Sequence, residues 1–288
     1  MKPMAFRRYV DVEAERDPRL AHAFETFLRV VARGWFRFRL RGVENVPSAP
    51  SIFVGNHSGI GIADIVCLLG SRTTIAPDRT TVGLAHDLFV NMPIIGRLLR
   101  AAGAVTANPE SAREAIRRGH HVAVFPGGGY DACRPITRAR EVSFGRRRGY
   151  VRLALETGAL VVPIATVGSH PTYVLLPWIG EVLGERLKRW GLWRDERIPV
   201  PLATLGVVAV VVACAAGELP WWSVLVALTF LLVPNPLPVE SVILEPIDLR
   251  AATEHVADPL ERIELANDIV EARLRAVITA EGRLAGKK

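Results

Sequence analysis

Between Asp17 and Gly34, Leu20, Phe24, Phe27, Leu28 and Val31 recur at helical spacing, with Arg19, Arg29 and Arg33 set between them. This is the pattern of an amphipathic, basic helix, and Asp17-Pro18 supplies its start. The apolar stripe either packs on the helix's own domain or rests on a membrane surface. The period then changes to two at Phe36-Arg37-Phe38-Arg39-Leu40, which predicts a strand ended by Gly42. Ser51-Ile52-Phe53-Val54-Gly55 is a short run suited to a buried strand, with Asn56-His57 at its carboxyl end.

Further along, the pattern predicts a helix over Ile62–Leu69 and another from Asp87 to Ala102, interrupted near Pro93. A helix from Pro109 to Arg118 is ended by Gly119. His121 to Phe125 reads as a second buried strand and runs directly into Pro126-Gly127-Gly128-Gly129. Gly149 to Thr157 is a helix closed by Gly158, and Leu160 to Ile164 is a third strand. Ser241 to Leu244 is a late strand, and Asp258-Pro259 opens a last helix with Ile263, Ala266, Ile269, Val270, Leu274 and Val277 on one face. Strands and helices in this alternation argue for an α/β sheet with crossovers, whose functional loops gather at the carboxyl ends of the strands. His57 and Gly127 to Gly129 both occupy that position.

The segment from Ile198 to Val233 breaks the pattern, because its two halves are apolar on every side and flank Gly217-Glu218. At roughly 19 and 15 residues they are short of the ~20 that a helical crossing needs. A helical hairpin dipping into a bilayer fits better, although two thin spans and a greasy core hairpin remain as alternatives. Trp221 and Trp222 suit an interface near the turn, while Glu218 would be costly in hydrocarbon. Lys188, Arg189, Arg194 and Arg197 precede the segment, as expected on a cytoplasmic side.

Composition narrows the partners. Half of the 288 residues are hydrophobic and the formal net charge is +7, with a mean hydropathy of +0.23. Such a basic balance suits nucleic acid or an anionic membrane. No basic motif interleaved with aromatics is present, so nucleic acid is not expected as a partner; the apolar segment favours membrane lipids. No obligate protein partner is evident. Cys67, Cys133 and Cys214 are widely spaced and imply neither a disulfide framework nor a zinc site. The amino-terminal stretch carries acids early and lacks the apolar core of a secretory signal. These features lead to an expected location at the cytoplasmic face of the cell membrane.

Attack by a hydroxyl on a carbonyl needs a base, a group that orients it, and donors for the developing oxyanion. The run Asn56-His57-Ser58-Gly59-Ile60-Gly61-Ile62-Ala63-Asp64 offers a base in His57 and an orienting carboxylate in Asp64. Its glycines allow the loop to turn tightly enough for the two to meet. His120-His121 is expected to be structural or exposed, His86-Asp87 are neighbours that point apart, and His170 is a lesser candidate for the cleft. No Gly-x-Ser-x-Gly turn occurs, which argues against an α/β-hydrolase.

Four ordered blocks together resemble the phospholipid and glycerol acyltransferases, including the lysophosphatidic acid acyltransferases: Asn56-His57 with Asp64, Phe125-Pro126-Gly127-Gly128, Phe144 to Arg147 with Gly149, and Val162-Pro163-Ile164. The resemblance covers residues 35–180 and the strand near 239–249. It implies a single α/β domain with a mixed sheet flanked by helices (35–197), preceded by the helical region 1–34, interrupted by the apolar hairpin 198–234 and completed by 235–288. It also implies His57 as general base, Asp64 as its partner, acyl-CoA or acyl carrier protein as donor, and neither metal nor covalent acyl-enzyme. Asn56, Ser58, Phe125, Pro126, Gly127 and Gly128 would then line the substrate. Arg147 stands where the family has a basic residue, either meeting phosphate or lying solvated in Arg146-Arg147-Arg148.

Departures from the family pattern bear on the acceptor. Six residues separate His57 from Asp64, more than the family's usual interval; this His-Ser-Gly form resembles a branch that includes acyltransferases acting on neutral acceptors. Gly127 stands in place of the usual glutamate, with Asp131 four positions on as a candidate substitute. The arginine usual after the Gly-Ala-Val block is missing from Gly103 to Pro109. Either Arg134 serves an acceptor phosphate instead, or the acceptor is a neutral alcohol such as diacylglycerol or a long-chain alcohol. A lipid-binding protein that kept the fold without catalysis is the remaining alternative.

Overall fold

The structure is a computed structural model that describes residues 8–9, 11, 13–58, 61–190 and 198–285. Seven strands form one sheet: β1 (Arg39–Arg41), β2 (Ser51–Gly55), β3 (Thr81–Ala85), β4 (Ala104–Thr106), β5 (His121–Val124), β6 (Leu160–Val167) and β7 (Glu240–Ile243). Their order is β1-β7-β6-β2-β5-β3-β4. Strand β2 runs parallel to both neighbours, with Ile52 opposite Val122 and Val161. Strand β7 pairs antiparallel with β6 and parallel with β1, so the sheet is mixed and its reversed strands lie together at one edge.

Thirteen helices are described: α1 (Pro18–Gly34), α2 (Ile62–Leu69), α3 (Arg72–Ile75), α4 (Asp87–Asn91), α5 (Ile95–Ala101), α6 (Pro109–Arg117), α7 (Gly128–Ala132), α8 (Gly149–Thr157), α9 (Pro177–Arg189), α10 (Ala203–Ala215), α11 (Trp222–Leu232), α12 (Leu249–Ala252) and α13 (Pro259–Ala285). The two-residue period of β2 sorts its side chains to opposite faces. Ile52 and Val54 join Val161, Val151, Val270 and Leu274 in a core beneath α8 and α13. Phe53 points the other way, to Val162, Ile164, Ile243 and Ile75. Beyond that second face, α1 and α2 meet through Ala32, Phe36, Ala63 and Cys67. Leu274 is fully buried, so its truncation to alanine carries a cost of about 2–5 kcal/mol.

The first helix begins where Asp17 caps it, accepting the N–H groups of Arg19 and Leu20. Its packing face differs from the one expected. Ala21, Glu25, Leu28 and Ala32 are buried, whereas Phe27 is 62% and Val30 67% exposed. Small alanines let α1 approach α2 closely. Glu25 is drawn inward because it accepts bonds from Arg29 (2.9 Å), Arg72 (3.3 Å) and the Thr73 N–H (3.1 Å). The strand expected over 36–40 is also corrected: it is shifted and shortened to Arg39–Arg41, because Phe36 is turned into the core and Arg37 adopts φ 45°.

The apolar segment forms α10 and α11, which pack on each other. At 13 and 11 residues they are shorter than their apolar stretches, and no described helix is long and apolar enough to cross a membrane. Most of the apolar surface of the pair faces outward, with Trp221 and Trp222 each 64% exposed. Its root is held mainly by the main chain: Leu202 N–H donates to the Val174 carbonyl, Leu176 N–H to Val200 and Asn235 N–H to Thr172, each at 2.8 Å. The Tyr173 hydroxyl donates to the Leu231 carbonyl at 2.6 Å. Lys188 and Arg189 close α9; Arg194 and Arg197 lie outside the described residues.

Candidate active site

Three neighbouring parallel strands, β2, β5 and β6, deliver the site from their carboxyl ends, as open α/β sheets do. Strand β2 is followed by Asn56, His57 and Ser58, β5 by Phe125 to Gly127, and β6 by Ser169 and His170. Asn56 continues the sheet with its side chain: its Nδ2 donates to the Thr166 carbonyl (2.9 Å) and its Oδ1 accepts the Thr166 N–H (2.8 Å). Both ends of this amide are therefore engaged inside the fold.

The His57 side chain is 13% exposed and Asp64, in the first turn of α2, is fully buried. Nδ1 of the ring lies 3.1 Å from Asp64 Oδ2, and the same oxygen accepts the Ser58 N–H at 2.8 Å. A carboxylate on Nδ1 keeps the proton there and leaves the Nε2 lone pair available. Gly61, at φ 79°, shapes the loop: a Cβ there would lie 1.9 Å from His57 Cε1 and 2.2 Å from Nε2. Gly59 lies outside the described residues. On another side the ring stacks on Phe125, centroids 4.6 Å apart, and the absence of a side chain at Gly55 makes room for that phenyl ring.

Behind the ring lies a second carboxylate. Asp131, in α7 and fully buried, accepts the His57 main-chain N–H at 2.6 Å and stands 2.9 Å from Arg134 Nη2. Burial pushes Asp131 up to about 6, against the pull of Arg134 and the His57 N–H. Arg134 is 3% exposed, so it sits inside the domain, and its Nε and Nη1 have no hydrogen-bond partner among the described residues. His170 is also buried; its Nε2 contacts the Arg134 carbonyl at 2.9 Å. Burial, with the adjacent Arg134 cation, holds His170 below the usual histidine range. Ser58 and Ser169 join hydroxyl to hydroxyl. Pro126 and Gly127 are buried at the turn, whereas Arg147 is exposed with its guanidinium against Gly128.

The structure thus sets Asp64 and Phe125 against the His57 ring and Asp131 against its main chain, with Ser58, Arg134 and His170 linked to these. Ser169 escaped the sequence reading; its position just past the end of β6 is the signal that could have found it. His121 lies elsewhere, buried beneath Phe53 with ring centroids 4.8 Å apart, and His86 caps α4.

Comparison with known proteins bears on the family and the fold. Residues 37–167 match the family described as Acyltransferase. An uncharacterised protein of Mycobacterium leprae is 34% identical over 165 residues, covering 56% of this chain and 44% of its own length. The human protein named DGAT1/2-independent enzyme synthesizing storage lipids is 26% identical over 166 residues, 57% of this chain and 48% of its own. The chain therefore spans about half the length of these curated relatives. The crystal structure of the 1-acyl-sn-glycerophosphate (LPA) acyltransferase PlsC from Thermotoga maritima has the same fold, with a TM-score of 0.51 at 18% identity, covering 89% of this chain and 79% of that one. Sequence blocks and family match converge on residues 37–167, the stretch similar to the family described as Acyltransferase.

Proposed function

We propose that the protein transfers a fatty acyl group from acyl-CoA or acyl carrier protein to the hydroxyl of a lysophospholipid or glycerolipid. In this reaction His57 Nε2 takes the hydroxyl proton as the oxygen attacks the thioester carbonyl. The carbon–sulfur bond then breaks, and the proton passes to the departing thiolate. Asp64 holds the ring in the tautomer that accepts at Nε2 and balances the charge it gains. The observation carrying this reading is the 3.1 Å approach of Asp64 to His57 Nδ1 at the carboxyl end of the central strand. That approach also counts against a lipid-binding protein without catalysis. The test is transfer of labelled acyl groups by membranes holding wild type or His57→Ala; equal transfer by both would remove His57 from the mechanism.

A second reading makes the acceptor a neutral lipid alcohol. It is favoured by Arg134, whose charge is matched within the domain by Asp131, and by the missing arginine between Gly103 and Pro109. The printed name of the human relative, a storage-lipid enzyme, points the same way. Mass spectrometry of products from a mixed pool of phosphorylated and neutral acceptors separates the two readings.

The outward apolar surface of α10 and α11, with Trp221 and Trp222 beside the turn, supports attachment to the cytoplasmic face of a membrane by partial insertion. Each helix is shorter than a bilayer is thick, which favours dipping over crossing.

A further inference from the structure

Outside the His57–Asp64 pair, a second carboxylate stands at the turn after β5. Asp131 holds the main chain of His57, accepting its N–H at 2.6 Å, while Asp64 holds the ring. One residue is thus fixed at two points by two carboxylates from different helices, α7 and α2. The carboxylate at 131 also explains the residue at 127. A Cβ on Gly127 would lie 2.2 Å from Asp131 Cβ and 2.7 Å from its Cγ. Those are not the yielding tip of a flexible side chain, so a side chain at 127 and the side chain at 131, from its Cβ outward, exclude one another. Arg134, one turn further on, supplies the counter-charge at 2.9 Å. A buried ion pair is weak as a source of stability, so its presence against the histidine calls for another role.

We infer that Asp131 is a positioning residue for His57, entering through the space that Gly127 leaves open and fixing the main chain from which the base projects. This rests on the reading of His57 as the base. The site carries its second carboxylate one helical turn downstream of the position where related sequences are expected to have a glutamate. The geometry allows one or the other, not both.

The test uses the full chain, reconstituted in lipid vesicles, with kcat and KM measured for acyl-CoA and the preferred acceptor and with melting followed in parallel. Asp131→Ala is expected to lower kcat ten- to hundredfold while KM for both substrates stays within about threefold. Moving the carboxylate back, in the double variant Gly127→Glu with Asp131→Gly, which also removes the Cβ at 131, is expected to raise kcat at least fivefold over Asp131→Gly. A role in packing alone predicts neither that split nor that recovery. If Asp131→Ala does not fold, Asp131→Asn carries the comparison. An amide that keeps its oxygen on the His57 N–H turns an uncharged NH2 group toward the Arg134 cation, so the position is strained and kcat falls at unchanged KM. A kcat within twofold of wild type for a folded Asp131 variant, with His57→Ala inactive, overturns this inference and leaves His57 as the base. Full activity in His57→Ala overturns the reading beneath it.

Discussion

Asp64 meets His57 through a single oxygen: Oδ2 lies 3.1 Å from the ring Nδ1 and also accepts the neighbouring Ser58 N–H at 2.8 Å. That sharing ties the orientation of the imidazole to the path of the loop carrying it. Asparagine at 64 presents either an oxygen or an NH2 group to these two donors, and in the second pose the ring must take the wrong tautomer. Asp64→Asn and His57→Ala are therefore each expected to lower kcat by about 10²–10⁴. Because the two residues act as a unit, the double variant is expected to be no slower than the worse single one. Steady-state assays of the three variants check this.

Gly61 combines a φ of 79° with direct contact on the His57 ring, where a Cβ would come within 1.9 Å of Cε1. Gly61→Ala is expected to destabilise the fold by about 1–3 kcal/mol through its backbone and to displace His57. Activity should fall by far more than the shift in melting temperature explains, which calorimetry beside the transfer assay will show.

Stability should depend on pH through two buried groups of opposite sign. His121 is 1% exposed, and its Nδ1 accepts the Ser51 N–H at 3.2 Å. Burial, then the Arg79 and His120 charges, lowers it from 6.5 to about 4. The unfolded chain protonates this histidine first, so stability is lost as pH falls from 6.5 towards 4, by up to ~1.4 kcal/mol per pH unit; His170 adds in the same direction. Asp131 is raised from 3.8 to about 6, so the native state keeps its proton longer and stability is lost as pH rises across that window. Asp131→Asn should steepen the acid loss of stability between pH 4 and 6, and His121→Gln should flatten it. Urea melts at half-unit pH intervals measure both slopes.

Trp221 and Trp222, each 64% exposed beside the turn between α10 and α11, should report membrane contact directly. Anionic vesicles are expected to blue-shift tryptophan emission, and the variant with both changed to alanine should bind several-fold more weakly. Emission and binding unaffected by vesicles would rule out insertion by this surface.

The elements with strong periodicity or sharp punctuation were legible in the sequence. Ile62–Leu69 and Gly149–Thr157 match the structure residue for residue, because glycines flank the first and Gly158 closes the second. Strands β3 and β4 were not legible. Thr81-Val82-Gly83-Leu84-Ala85 and Ala104-Val105-Thr106 are too short and mixed to show a period, and pairing with neighbours defines them. Helix α9 escaped because its apolar residues share their surface with Glu181, Glu185 and Arg186. In α1 the pattern located the helix but not its buried face, since the inward pull on Glu25 comes from Arg72 and Thr73, far along the chain. His57 and Asp64 could be paired from their spacing and glycines. The Asp131 contact could not, because it depends on how two strand ends are placed in space.

The stretch from Ser169 to Leu176 is gripped from both sides. Its start touches the catalytic loop through Ser58 and Ser169 and the Arg134 carbonyl through His170; its remainder is bonded to both feet of the greasy helix pair at Val200, Leu202, Leu231 and Asn235. If the outrigger rests in lipid as proposed, these bonds tie the height of the imidazole above the lipid to the depth at which the outrigger floats. Splicing a slack glycine–serine loop into 198–202 would cut that mooring while leaving every catalytic side chain intact.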